Sequence, residues 1–248
     1  MATATFRFHG ELADFLSRER RGSAFCHACA RAATIKNAIE SLGVPHTEAG
    51  TLTVNGHPAT LSRIVREADA IEVFPHHAAE AAADEMPLFI ADAHLGGLAR
   101  LLRMLGFDTL FENAYSDRKI LELIAGERRI LLTRDRELLK CRDVSRGCFV
   151  RALKAAAQLN EVVARYGLAR HARPFTLCLH CNVRLETAGR DAVAARVPQP
   201  IAARYTRFMR CPGCERVYWE GSHWEHMRTL IGPALDAAPP PVTVPPRV

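Results

Sequence analysis

Long apolar runs are missing from this sequence of 248 residues. None approaches the roughly 18 residues that a membrane-spanning helix requires. The richest stretch, Leu98 to Phe107, is broken by Arg100 and Arg103. The first ten residues alternate like a strand and carry no signal-peptide core. Aromatic residues are few, 7% of the chain, with only two tryptophans. No repeat is visible beyond a recurring C-x-x-C. What is present is an ordinary globular balance, 48% hydrophobic and 24% charged. That balance excludes a wholly disordered chain, a collagen-like chain and a coiled-coil rod. The expectation is a cytoplasmic protein with no membrane partner.

The net charge of +6 is unevenly distributed. Residues 1–78 carry eight basic and eight acidic side chains, residues 79–172 carry 15 and 13, and residues 173–248 carry 10 and 6. A C-terminal basic excess suits a polyanion such as RNA, and it equally suits a solvated arginine-rich surface.

Eight cysteines fall into four pairs, three of them C-x-x-C. Without a secretion signal, that spacing fits metal or redox chemistry better than a disulfide framework.

The pattern of elements divides the chain. Over residues 1–78, Phe6 and Phe8 alternate with polar neighbours. Thr34 stands before a helical face of Ile35, Ala38, Ile39 and Leu42. Asn55-Gly56 is a two-residue hairpin signal, and Ile71 and Val73 form a last strand. This predicts a small α+β domain of β-grasp layout. Residues 79–86 read as a linker. From 87 to 172, short apolar strands alternate with helices: strands near 88–91, 107–111, 130–133 and 148–153, with helices after each. That order predicts a parallel, helix-covered sheet. Residues 173–231 are rich in Arg and Cys. Residues 232–248 contain six prolines and are expected to be disordered.

Cys178-Leu-His-Cys181 and Cys211-Pro-Gly-Cys214 are separated by 29 residues. Two such knuckles supply the four soft ligands of a tetrahedral zinc, and four thiolates leave no open position, so the zinc is expected to be structural. His180, His223 and His226 are then spare. The lone pair Cys26 and Cys29 reads as unmetallated thiols. Tyr218, Trp219 and Trp224, beside Arg207, Arg210, Arg216 and Arg228, could stack on unpaired bases or pack the ribbon onto its neighbour.

Asp92 and Asp135 each follow a strand, and Asp117 opens a helix. In an open parallel sheet all three would gather at the carboxyl edge. Clustered carboxylates want a hard cation, Mg²⁺ or Mn²⁺, which can activate water at a phosphodiester. Each acid also has a plainer role, Asp117 as a first-turn acid and Asp135 as a helix cap. His94, Arg100, Arg103, Arg134 and Lys140 are candidate phosphate contacts.

The stretch ADAHLGGLARLLRMLGFDT (91–109), followed by ILLTRDRELLK (130–140), resembles the PIN-like ribonuclease domain of the Mut-seven-C family. RPFTLCLHC (173–181) and RCPGCERVYWEGSHWEHM (210–227) resemble that family's C-terminal zinc ribbon. Residues 1–75, with ESLGVPHTE (40–48) and VNG (54–56), resemble the ubiquitin-like domain fused in front. The resemblance implies a PIN-like α/β/α sandwich. It implies metal-dependent RNase chemistry at Asp92, Asp117 and Asp135, with RNA, including tRNA or ribosome-associated RNA, as partner. Arg118 and Lys119 stand where further acids often follow, so an inactive RNA-binding adaptor is the alternative. The first domain ends Val73-Phe74-Pro75-His76 rather than Gly-Gly. A protein-docking role is therefore expected for it, not conjugation chemistry.

Overall fold

The computed structural model describes residues 1–76 and 86–236. In chain order the strands are β1 (Ala2–Phe8), β2 (Phe25–Cys29), β3 (Ala49–Val54), β4 (His57–Ala59), β5 (Ala70–Pro75), β6 (Phe89–Ala91), β7 (Thr109–Leu110), β8 (Ile130–Thr133), β9 (Gly147–Phe149), β10 (Glu186–Ala188), β11 (Phe208–Arg210) and β12 (Val217–Trp219). The helices are α1 (Ile35–Ser41), α2 (Gly96–Met104), α3 (Asp117–Glu127), α4 (Arg136–Lys140), α5 (Ala155–Tyr166), α6 (Arg190–Val193), α7 (Gln199–Arg204) and α8 (Ser222–Asp236). The chain divides into two compact units, Met1–Ala81 with Asp117–Phe149, and Ala82–Ser116 with Val150–Val248. The segment expected as one domain, 87–172, is thus shared between them.

In the first unit, β1 to β5 form a mixed sheet in the order β2-β1-β5-β3-β4. Strands β1 and β5 are parallel, and the other pairs are antiparallel. Ala4, Phe6 and Phe8 alternate inward along β1 and meet Ile35 and Ile39 of α1 in one core. Thr34 opens α1 with a reciprocal capping box to Asn37. Asn55 and Gly56 both have positive φ, the two-residue turn that joins β3 to β4. This is the β-grasp arrangement. In the same unit β8, buried at all four positions, runs parallel to β9, and α4 follows β8.

In the second unit β6 pairs in parallel with β7, and α2 buries Leu98, Leu101 and Leu102. Gly106 ends that turn at φ +88, where an added Cβ would lie 2.4 Å from the Arg173 carbonyl oxygen. This close backbone approach fixes where the second half of the unit begins. Strands β10, β11 and β12 form an antiparallel sheet. The long gap between the two C-x-x-C motifs holds β10, α6, α7 and β11, and it builds a small core of Val193, Val197 and Phe208.

Three expectations are corrected. The second strand is confined to Thr109–Leu110, and the fourth to Gly147–Phe149. The start of the expected disordered tail is helical. Helix α8 runs to Asp236 because Ile231 and Ala234 are buried. Residues 237–248 of that tail, and all of the expected linker but Met86, lie outside the described residues.

Candidate functional site

Four thiols meet in the second unit. The Sγ atoms of Cys178, Cys181, Cys211 and Cys214 all lie within 4.8 Å of one another. Cys178 and Cys214 are 3.5 Å apart, and Cys181 and Cys211 are 3.3 Å apart. A tetrahedron of 2.3 Å zinc–sulfur bonds has edges of about 3.8 Å, so the set fits a metal such as zinc. The two knuckles are built alike. Asn182 N–H donates to the Cys178 carbonyl and Glu215 N–H to the Cys211 carbonyl. Asn182 and Glu215 both take positive φ, which turns the chain back under the metal position. Burial alone would raise the Cys178 thiol. Hydrogen bonds from the Tyr218 hydroxyl and from the backbone N–H of Cys181 and His180 outweigh it and bring it down to about 6. Burial and the Cys211 thiol push Cys181 up to about 12. A cation among the thiols removes that conflict.

The first knuckle is fastened to α2 and β7. Arg103, 4% exposed, donates to the Thr109 carbonyl at 2.9 Å, to the Leu179 carbonyl at 3.2 Å and to the His180 carbonyl at 2.7 Å. Asn182 accepts from Thr109 N–H and donates to the Asp108 carboxylate at 2.7 Å. Arg103 is therefore not a phosphate contact, because its donors are committed to backbone carbonyls inside the protein. The sequence signal for this is a charge inside an otherwise apolar run, Leu101 to Leu105.

The carboxylates are placed as follows. Asp92 ends β6 and caps the short turn Ala93–Leu95, accepting from Ala93 N–H. In the first unit, Asp117 is the exposed first residue of α3. Asp135 is the N-cap of α4, with Oδ1 accepting from Glu137 N–H at 2.8 Å and Leu138 N–H at 3.3 Å. Both plainer roles foreseen for Asp117 and Asp135 are thus realised, and Asp92 has a capping role as well. Asp117 and Asp135 act on the same neighbour. The Cys141 thiol is raised by burial and then by the negative charges of Asp117, Asp135, Asp143 and Glu137. Asp143, Glu137 and Cys141 had no motif to mark them. Among the described residues, the four cysteines are the group of three or more such side chains whose ligand atoms come within 4.8 Å.

The basic candidates divide. His94 and Arg100 are exposed, and Arg134 is half-buried between Thr133 and Asp135. Lys140 is 18% exposed in its side chain and pairs with Glu137 at 2.7 Å along α4. Arg118 and Lys119 are paired with Glu122 along α3. Cys26 and Cys29 lie three residues apart on β2, which puts them on opposite faces, one exposed and one buried. That spacing keeps them from sharing one metal.

Residues 87–231 match the family model described as the Mut7-C RNAse domain, and residues 1–81 match Mut7-C ubiquitin. The chain belongs to the Mut7-C RNase family. A solved structure, the H. volcanii small archaeal modifier protein 1, is 20% identical over 30% of this chain and 98% of its own, with a TM-score of 0.25. No curated protein matches the chain. The Mut7-C RNase domain therefore sits behind a ubiquitin-like domain and carries a cysteine cluster that could hold zinc. Among the described residues no helix is long and apolar enough to cross a membrane.

Within the first unit the ubiquitin-like domain is bonded to the α4–β9 part of the Mut7-C RNase domain. Glu48, 1% exposed, accepts from Phe149 N–H at 2.7 Å. The His46 ring bridges the Glu40 carboxylate at 2.7 Å and the Val144 carbonyl at 2.9 Å. Phe15 and Phe149 meet edge to face at 5.2 Å, and the Arg136 guanidinium covers both rings. Sequence reading had no means of pairing residues about a hundred positions apart.

Proposed function

We propose that the protein is a metal-dependent ribonuclease. The membership of residues 87–231 in the Mut7-C RNase family carries this reading. Asp135 Oδ1 is fixed by two backbone donors, and its Oδ2 accepts no hydrogen bond among the described residues. One oxygen orients the side chain and the other can serve as a ligand. Asp92, Asp117 and Asp135 would hold Mg²⁺ or Mn²⁺, hard ions that take oxygen donors. When bound, such an ion supplies activation of water and charge stabilisation at a phosphodiester. His94, Arg100 and Arg134 would bind RNA phosphates, and the cysteine-bound zinc would be structural. The ubiquitin-like domain would also offer a surface to a protein partner, in the cytoplasm.

The test is cleavage of a panel of labelled RNAs with Mn²⁺, with Mg²⁺ and with EDTA. Asp135→Asn keeps the N-cap acceptor while removing the negative charge. Metal-dependent products should vanish in that variant with the fold intact. Unchanged cleavage would remove Asp135 from the site. The second reading, an RNA-binding adaptor without turnover, is favoured by Arg118 and Lys119 beside Asp117. RNA binding that weakens steeply with salt, with no products under any metal, would establish it.

A further inference from the structure

Aromatic residues are 7% of this chain, yet five of them line one cavity in the second unit. Phe175, Phe208, Tyr218, Trp219 and Trp224 line a cleft of about 710 Å³, with Arg207 and Glu220 among the polar groups in its wall. Both tryptophans of the chain are here. The space opens to solvent on one side. It falls within the usual range of ligand sites.

Two features hold the walls in place. Phe175 has φ +62, uncommon for a bulky side chain. Its N–H donates to the Met104 carbonyl at 2.8 Å, which fixes the strained residue and sets its ring 4.9 Å from Trp224. Backbone strain of this kind gathers at ligand sites. Trp219 lies against Gly221, where a Cβ would come 2.8 Å from its indole nitrogen. The cations nearby are arginines. Arg228 sits 4.8 Å over the Trp224 ring, and exposed Arg207 lines the opening. Residues 173–236 hold nine arginines and no lysine. Guanidinium planes stack on bases and bond phosphates in a fork, which a point ammonium does not.

We propose that this cavity receives an unpaired base of an RNA strand, with Arg207 and Arg228 on the flanking phosphates. The proposal rests on the ribonuclease reading and deepens it by naming the substrate class, single-stranded or looped RNA. A base inside a duplex cannot reach an aromatic slot, and unpaired bases are the ones that stack on aromatic side chains.

The test uses the full zinc-loaded chain without added Mg²⁺ or Mn²⁺. Because both tryptophans border the cavity, intrinsic fluorescence reports this place alone. Oligo(A) and oligo(U) should quench it saturably, and a blunt RNA duplex should not. Trp224→Leu should weaken single-strand affinity, read by anisotropy of labelled RNA, by about ten-fold or more. Should that variant lose zinc, wild-type quenching and Arg207→Gln decide. RNA that binds, and is cleaved once Mn²⁺ is added, while fluorescence and Trp224→Leu affinity stay unchanged overturns the cavity and leaves the ribonuclease standing. RNA that quenches, and is still not cleaved when Mg²⁺ or Mn²⁺ is then added, keeps the cavity and overturns catalysis. An apolar peptide or dye that fills the cavity with no effect of RNA on fluorescence assigns it to a protein partner and overturns the proposal.

Discussion

Arg103 donates to the carbonyl oxygen of His180 at 2.7 Å, so a buried guanidinium clamps the turn that carries Cys178 and Cys181. Burial lowers the Arg103 pKa, while the Cys178 and Cys181 thiolates, Glu112 and Asp108 act to raise it. The clamp is thus a buried cation beside the cysteine cluster, and it closes against three main-chain carbonyls.

Arg103→Leu should destabilise the second unit by about 1–3 kcal/mol, since the buried Thr109 carbonyl and the part-buried Leu179 and His180 carbonyls lose their donor. The measurement is denaturant unfolding together with the rate of zinc release to a chelator. Faster release with unchanged unfolding of the ubiquitin-like domain is the expected pattern. If neither changes, the clamp does not hold the knuckle.

Zinc analysis should give one ion per chain, lost in Cys211→Ser. Removing the metal should redden Trp219 emission, because β12 follows directly from the second knuckle. Each thiol must lose a proton to bind, so affinity should fall as pH falls. The competition becomes acute below about 6, the value of the most acidic thiol, Cys178. Zinc content measured after dialysis at stepped pH checks this.

Asp69 offers a separate pH prediction. Its carboxylate accepts two bonds from Arg63, at 2.7 and 3.1 Å, with Arg66 N–H and Asn55 adding two more. The Arg63 bonds are the largest cause that holds its pKa below the ordinary value, against the opposing effect of burial. A depressed carboxyl stabilises the fold above its unfolded pKa of about 3.9, and that contribution is lost as pH falls through the folded value. The stability gap between wild type and Asp69→Asn should therefore be full at pH 7 and shrink below about pH 4. A gap that stays constant to pH 2 would remove Asp69 as the cause.

Glu48→Ala leaves the Phe149 N–H without its buried acceptor, at a cost of about 1–3 kcal/mol. Hydrogen exchange should accelerate at β9 and α4, which contain Phe149 and directly follow Asp135. Phe15→Ala should act on the same amides, because it empties the place beneath Arg136 and Phe149. If only the ubiquitin-like core loosens in both variants, the two domains do not share stability there.

The legible parts were the local ones. Thr34, Asn55-Gly56, the alternation of Phe6 and Phe8, and the paired C-x-x-C motifs act through neighbours within a few residues. Asp92, Asp117 and Asp135 could be placed after strands or at helix starts for the same reason. Arg103 was misjudged because an exposed phosphate contact and a buried clamp have the same letter code. Burial separates them, and burial is a property of the whole chain.

By itself the sequence determined the β-grasp module, the alternation of strands and helices, the four zinc-competent thiols and the family. These follow from propensity, period and ligand spacing, which are short-range physics. The tertiary structure alone decided that Glu48 and His46 bond to Phe149 and Val144, and that the charge of Asp117 bears on Cys141. It alone decided that scarce aromatics from three segments line one cleft. Those relations join residues tens of positions apart. Only packing and the need to satisfy buried donors and acceptors select them.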